Sequence, residues 1–298
     1  MKMFSINRIS IAALTFIFAS MLFSCQKDLS STNNASLTEE QATAYAEESS
    51  MAEASFDDAE DVAATAADEE NNASEYGLNG RNYAPLFTEL RVAIGDCADI
   101  TVTPNDSTYP KTITIDFGNG CLGRDGKFRS GAIVVHLTAP IRRPGSVVTI
   151  TFRNYFVNRV HLEGSKIISN LSDPPTHKWS VQVVGGKVTF PSGRGYSYQS
   201  IKVKTQVGGM DTRIVRDDVY EITGRSQTEF NGGLTITLNT ESPLVKKIAC
   251  PWISDGTLKI KINDRVLFLD YGFPTGGQCD NKALLTWNNG NSQRVINL

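Results

Sequence analysis

Four cysteines, Cys97, Cys121, Cys250 and Cys279, are the most reactive side chains in the body of this 298-residue sequence. They lack the Cys-x-x-Cys pitch that zinc binding uses. The three histidines, His136, His161 and His177, lie too far apart in the chain to complete a ligand set, so no metal or other cofactor is expected. Disulfides are the remaining chemistry, and four cysteines allow three pairings. An internal echo selects Cys97–Cys121 and Cys250–Cys279. The first pair encloses Thr112-Ile113-Thr114-Ile115-Asp116-Phe117-Gly118, and the second encloses Val266-Leu267-Phe268-Leu269-Asp270-Tyr271-Gly272. Each bridge would close a local loop, contributing about 3 kcal/mol in the chain-entropy description.

Other motifs spell chemistry that their surroundings deny. Gly118-Asn119-Gly120-Cys121-Leu122-Gly123 matches G-x-G-x-x-G, but the chain continues into Arg124-Asp125-Gly126-Lys127, a turn, where a dinucleotide site needs a helix. Asp116-Phe117-Gly118 spells the kinase magnesium triplet with none of its partner motifs. Its repetition as Asp270-Tyr271-Gly272 indicates a structural unit: a packed aromatic, a turning glycine, and an aspartate capping backbone N–H groups. Asp116, Asp125, Asp217, Asp218, Asp270 and Asp280 are the carboxylates from which a glycosidase pair could be drawn, yet each reads first as a turn residue. No Gly-x-Ser-x-Gly elbow is present.

Aromatics gather at Tyr155-Phe156, at Tyr196 with Tyr198, and at Trp252 and Trp287. Tyr196 and Tyr198 share one face of a strand beside Arg194, Lys202 and Lys204, a set suited to binding a sugar or a polyanion.

The elements that must position these groups are strands. Ile113, Ile115 and Phe117 alternate with polar residues, as do Val148, Ile150 and Phe152, then Leu234, Ile236 and Leu238, then Leu258, Ile260 and Ile262. Period two specifies antiparallel strands wet on one face. Gly185-Gly186, Asn263-Asp264 and Asn289-Gly290 read as hairpin turns. The expected fold is all-β, a sandwich or rolled meander of a dozen to fifteen strands over residues 83–298, with two disulfide-stapled pseudo-repeats.

Residues 1–24 form a secretory signal, with Lys2 and Arg8 ahead of an apolar run from Ile9 to Phe23 that is too short to span a membrane. The run ends in Leu22-Phe23-Ser24-Cys25, similar to a bacterial lipobox, which makes Cys25 the lipidated first residue of the mature chain. The following stretch, 25–82, carries 14 acids against Lys27 and Arg81, with few large apolar side chains. It reads as an acidic flexible tether, partly helical where Ser36-Leu37-Thr38-Glu39 has capping-box spacing. The whole chain is −3; the signal contributes +2 and the acidic stretch −12, which leaves +7 on residues 83–298. Folding of the acidic stretch back onto the basic body is the salt-sensitive alternative. The charge is spread too thinly, and without a nucleic-acid module, to indicate nucleic-acid binding.

The signal ending at Cys25, the acidic spacer, Thr-Ile-Asp-Phe-Gly-Asn-Gly-Cys ending at Cys121, and Asp270-Tyr271-Gly272 followed by Cys279-Asp280-Asn281-Lys282-Ala283 together resemble an uncharacterised family of Bacteroidota-type outer-membrane lipoproteins. Gln26-Lys27-Asp28 resembles the short signals that send such lipoproteins to the outer face. The resemblance implies a lipid-anchored envelope protein and brings no activity with it. The expected function is a non-enzymatic lipoprotein whose sheet binds a glycan or an envelope protein. A polymer hydrolase with paired carboxylates and a lipid carrier with a deep apolar cavity are the alternatives.

Overall fold

The computed structural model describes residues 37–78 and 83–298 apart from 213 and 232; Cys25 and the signal lie outside the described residues. The compact unit runs from Ser36 to Leu298. It begins with a helix, α1 (Glu39–Leu78), followed by the short α2 (Thr88–Ile94). Fourteen strands follow: β1 (Asp99–Thr103), β2 (Lys111–Asp116), β3 (Cys121–Leu122), β4 (Phe128–Leu137), β5 (Val147–Val157), β6 (Val160–Asn170), β7 (Lys178–Thr189), β8 (Gly195–Gly208), β9 (Val219–Phe230), β10 (Thr235–Lys247), β11 (Ile253–Ile262), β12 (Arg265–Asp270), β13 (Lys282–Trp287) and β14 (Ser292–Asn297).

All strands belong to one antiparallel sheet in which sequence neighbours pair from β1 to β14, with the two-residue β3 hanging on β4. This is the rolled meander; among the described residues there is no second sheet to make a sandwich. Alternation sets the inner face as expected: Ile113, Ile115, Ile150, Ile236, Ile260 and Leu269 are fully buried, while Lys259 and Lys261 face outward or partly outward between them. Both expected disulfides are present, with Cα separations of 5.7 Å and 5.6 Å.

The echo around them is structural. Asp116 Oδ1 accepts the N–H of Gly118 at 2.8 Å, and Asp270 Oδ1 accepts that of Gly272 at 2.8 Å. The aromatic between, Phe117 or Tyr271, is buried and donates its N–H to a glycine carbonyl on the adjoining strand, Gly131 or Gly256.

Glycine bulges bend the sheet. At Gly131, between register-shifted Ser130 and Ala132, φ is +74° and an added Cβ would lie 1.9 Å from the carbonyl oxygen of Asn154. Gly164 sits at a second shift, between Glu163 and Ser165, pressed against Gly185 and Gly186 of the next strand. Bulges of this kind curve a sheet and increase its twist. Gly185-Gly186 is therefore not the hairpin that its sequence indicates. It is a bulge inside the continuous strand β7, opposite Tyr198: Gly185 takes a φ of +60°, and a Cβ added at Gly186 would lie 2.5 Å from the Tyr198 carbonyl oxygen and 3.1 Å from the Phe56 ring. Asn263-Asp264 does form a two-residue hairpin, whereas the β13–β14 connection needs four residues, 288–291.

Candidate functional site: a basic groove around an acidic helix

The acidic stretch is not a tether over residues 39–78. It is a single 40-residue α-helix, capped by Thr38 and Gln41, whose side chains accept each other's backbone N–H at 3.2 Å and 3.0 Å. The capping box thus lies two residues beyond the Ser36/Glu39 spacing. The helix carries 13 acids and no base. In isolation that repulsion, together with the scarcity of large apolar side chains, would keep it from forming. What stabilises it is the body.

From the sheet and its connections, ten basic side chains meet nine of those acids. At the centre of α1, Asp58 receives Arg129 Nε at 2.9 Å and Nη2 at 2.5 Å, and Lys127 Nζ at 3.0 Å. Lys166 Nζ lies 2.8 Å from Asp57 and 2.6 Å from Glu60. Lys202 reaches Glu53 and Asp57, each at 3.0 Å, while Lys204 reaches Glu60 at 3.2 Å and Lys246 reaches Asp61 at 2.6 Å. Toward the start of the helix, Glu48 pairs with Arg194 and accepts the Tyr196 hydroxyl, and Glu47 pairs with Arg294. Toward its end, Arg142 bridges Asp68 and Asp218, and Lys111 meets Glu70 at 2.8 Å.

These partners require a curled sheet. Asp57, Asp58 and Asp61 lie within about one turn, yet they meet residues on β4, β6, β8 and β10. Six strand spacings separate β4 from β10, about 29 Å if flat, against a helix about 10–12 Å wide. Small residues complete the fit: Ala46, Ala52, Ala59, Ala63, Ala66 and Ala67 are fully buried. Phe56 is the large anchor, stacked on Tyr198 with ring centroids 4.9 Å apart. A cavity of about 50 Å³ remains among Glu53, Asp57, Asp58, Lys202, Lys246 and Tyr271.

The ionisations follow from these neighbours. Burial pushes the Asp58 and Asp57 carboxyls up, but Lys127 with Arg129, and Lys166 with Lys202, outweigh it and hold both well below the usual carboxylate range. Glu60 is lowered in the same way by Lys166 and Lys204 against its burial. Burial would discharge Lys202, but the carboxylates of Asp57 and Glu53 keep it well above the ordinary lysine value. The far end differs. Burial raises Asp68, and Arg142 only partly offsets it; Asp218, buried with Asp68 nearby, is pushed up to about 6 despite Arg142 and the Tyr220 hydroxyl.

The expected binding set of Arg194, Tyr196, Tyr198, Lys202 and Lys204 does form one surface, but that surface is not free. Tyr196 and Tyr198 are 3% and 2% exposed, and every member of the set contacts Glu48, Glu53, Asp57 or Glu60. The platform is covered by the chain's own helix. In Ile201-Lys202-Val203-Lys204 the lysines face inward, with Ile201 45% exposed and Lys202 6%, because the acids of α1 are inside. Lys111 and Lys166, which no motif in the sequence singles out, are each 1% exposed and paired with acids of α1.

The carboxylates considered for hydrolysis are engaged elsewhere. Asp116 pairs with Arg153, Asp125 with Arg129, and Asp217 accepts the Thr212 hydroxyl. Asp280 accepts the N–H of Lys282. Of the aromatics, Tyr155 is fully buried, Trp252 lies under the Lys127 ammonium at 4.7 Å, and Trp287 donates to Glu39. Among the described residues no group of three or more His, Cys, Asp or Glu is arranged to hold a metal ion, and no described helix is long and apolar enough to cross a membrane. Compared with models of known protein families, with curated proteins and with solved structures, the chain matches none of them.

Proposed function

We propose that this is a lipid-anchored envelope protein whose curled sheet is a non-catalytic binding groove for an acidic helical polypeptide, with its own α1 as the occupant in cis. The observation that carries this reading is the match between ten bases of the body and nine acids on one helix. A ligand selected by spaced ammonium and guanidinium groups is anionic and extended, which favours a protein over a neutral glycan. The engagement of Asp116, Asp125, Asp217, Asp218, Asp270 and Asp280 in ion pairs and turns gives the hydrolase alternative no support, and the charged lining does the same for a lipid carrier. The anchor rests on the signal and lipobox pattern ending at Cys25; labelled palmitate entering wild-type protein but not Cys25→Ala tests it.

The groove is tested with a full chain carrying a protease site between residues 78 and 83. After cleavage, the 39–78 segment should stay with the body through gel filtration at low salt and exchange for a fluorescent 39–78 peptide. A peptide with Asn or Gln at 57, 58 and 60 should not exchange. A body that stays folded by circular dichroism after cleavage, yet releases the segment and does not rebind it, would remove the groove reading.

A further inference from the structure

Next to the central ion pairs, a separate cleft of about 240 Å³ opens where α1, α2, the β3–β4 turn and the β10–β11 connection converge. Its apolar wall includes Val62, Leu90, Val92, Ile248 and Pro251. The charged groups deeper in are committed to each other: Lys127 and Arg129 to Asp58, Arg129 also to Asp125, and Lys246 to Asp61. Arg124 and Arg216 also line the cleft and are exposed. Neither makes an ion pair among the described residues, and Glu89 is the only other charged side chain lining it. Five bases and four acids therefore leave one net positive charge.

The rim is held rigidly. Asp125 donates its N–H to the carbonyl of Ala93 at 3.0 Å, tying the β3–β4 turn to α2. Cys97–Cys121 closes the same junction, and Cys250 of the second disulfide lines the cleft itself. A concave cleft with one apolar wall and charged groups at its mouth can hold a small amphipathic molecule, and each guanidinium presents a planar fork of donors that matches a carboxylate.

We propose that this cleft binds a small monocarboxylate with an apolar tail, its carboxylate held by Arg124 and Arg216 and its tail against Val62, Leu90, Val92, Ile248 and Pro251. This site does not depend on the groove reading, since α1 stays in place. Calorimetric titration of the whole mature protein with octanoate tests it, because octanoate supplies both parts. Octanoate should bind one to one; octan-1-ol, lacking the charge, and acetate, lacking the tail, should each bind at least tenfold more weakly. The Arg124→Ala/Arg216→Ala variant should lose at least tenfold in octanoate affinity with an unchanged urea midpoint, since both side chains are exposed. Failure of the wild type to bind octanoate, or equal binding by the variant at an unchanged midpoint, would overturn the proposal. If the variant unfolds, octan-1-ol binding as tightly as octanoate to the wild type overturns it instead.

Discussion

The middle and the far end of α1 use the same residue types with opposite results. Around Asp57, Asp58 and Glu60, bases arrive from several strands and every acid has at least two cations within 3.3 Å, so burial strengthens the pairing and the carboxyls stay ionised at acid pH. Around Asp68 and Asp218, two buried carboxylates share Arg142, whose side chain is itself 27% exposed. One guanidinium cannot offset the desolvation of two acids, and their pKa values rise. Local charge balance, more than the number of buried ions, decides whether a buried acid stabilises the fold.

The sharpest way to break this contrast is at Asp58. Asp58→Ala leaves Lys127 buried with no carboxylate and Arg129 with Asp125 alone, and should cost about 3–5 kcal/mol, a large part of a typical domain's stability. Urea unfolding measures it, and a loss under about 1 kcal/mol would mean that water replaces the pairs. Asp57→Asn should cost less, about 1–3 kcal/mol, because Lys166 keeps Glu60 and Lys202 keeps Glu53.

The pH dependence separates the two regions by sign. Asp57, Asp58 and Glu60 titrate lower in the folded chain than in the unfolded one. Their contribution is complete above the ordinary carboxylate value and is lost progressively as pH falls from there through their lower folded-state values. Asp218, raised from 3.8 to about 6, contributes most when protonated in both states, and that contribution declines as pH rises toward 6. Asp218→Asn should therefore remove part of the stability decline between pH 4 and 6, followed by the urea midpoint across that range. An unchanged slope would reject the assignment. The smallest effect belongs to Arg294→Ala, which breaks the pair with Glu47 where the arginine is 58% exposed; it should cost under about 1 kcal/mol and fade in added salt.

Much of the body was legible in the primary structure because strand alternation and turn chemistry are local. Ile113 to Phe117 and Leu258 to Ile262 point inward as their spacing requires, and Asp116 and Asp270 cap the turns that their triplets indicate. The candidate site was legible only as a set of neighbours. Tyr196, Tyr198, Lys202 and Lys204 share a face, but which side of the sheet that face would take depended on residues some 145 positions earlier. Gly185-Gly186 failed for a related reason, since a bulge and a hairpin place the same demand on the backbone and differ only in what packs alongside.

By itself the amino-acid order determined the strands, their antiparallel succession, the two sulfur bridges and the split into acidic and basic parts, all properties of short segments or of sums. The tertiary structure alone decided where the acidic part goes and which face of each strand carries its lysines inward. A helix of 13 acids without a base has no reason to form until cations from distant strands surround it, and those cations have no reason to be buried until the helix is there. That mutual dependence exists only in the assembled body.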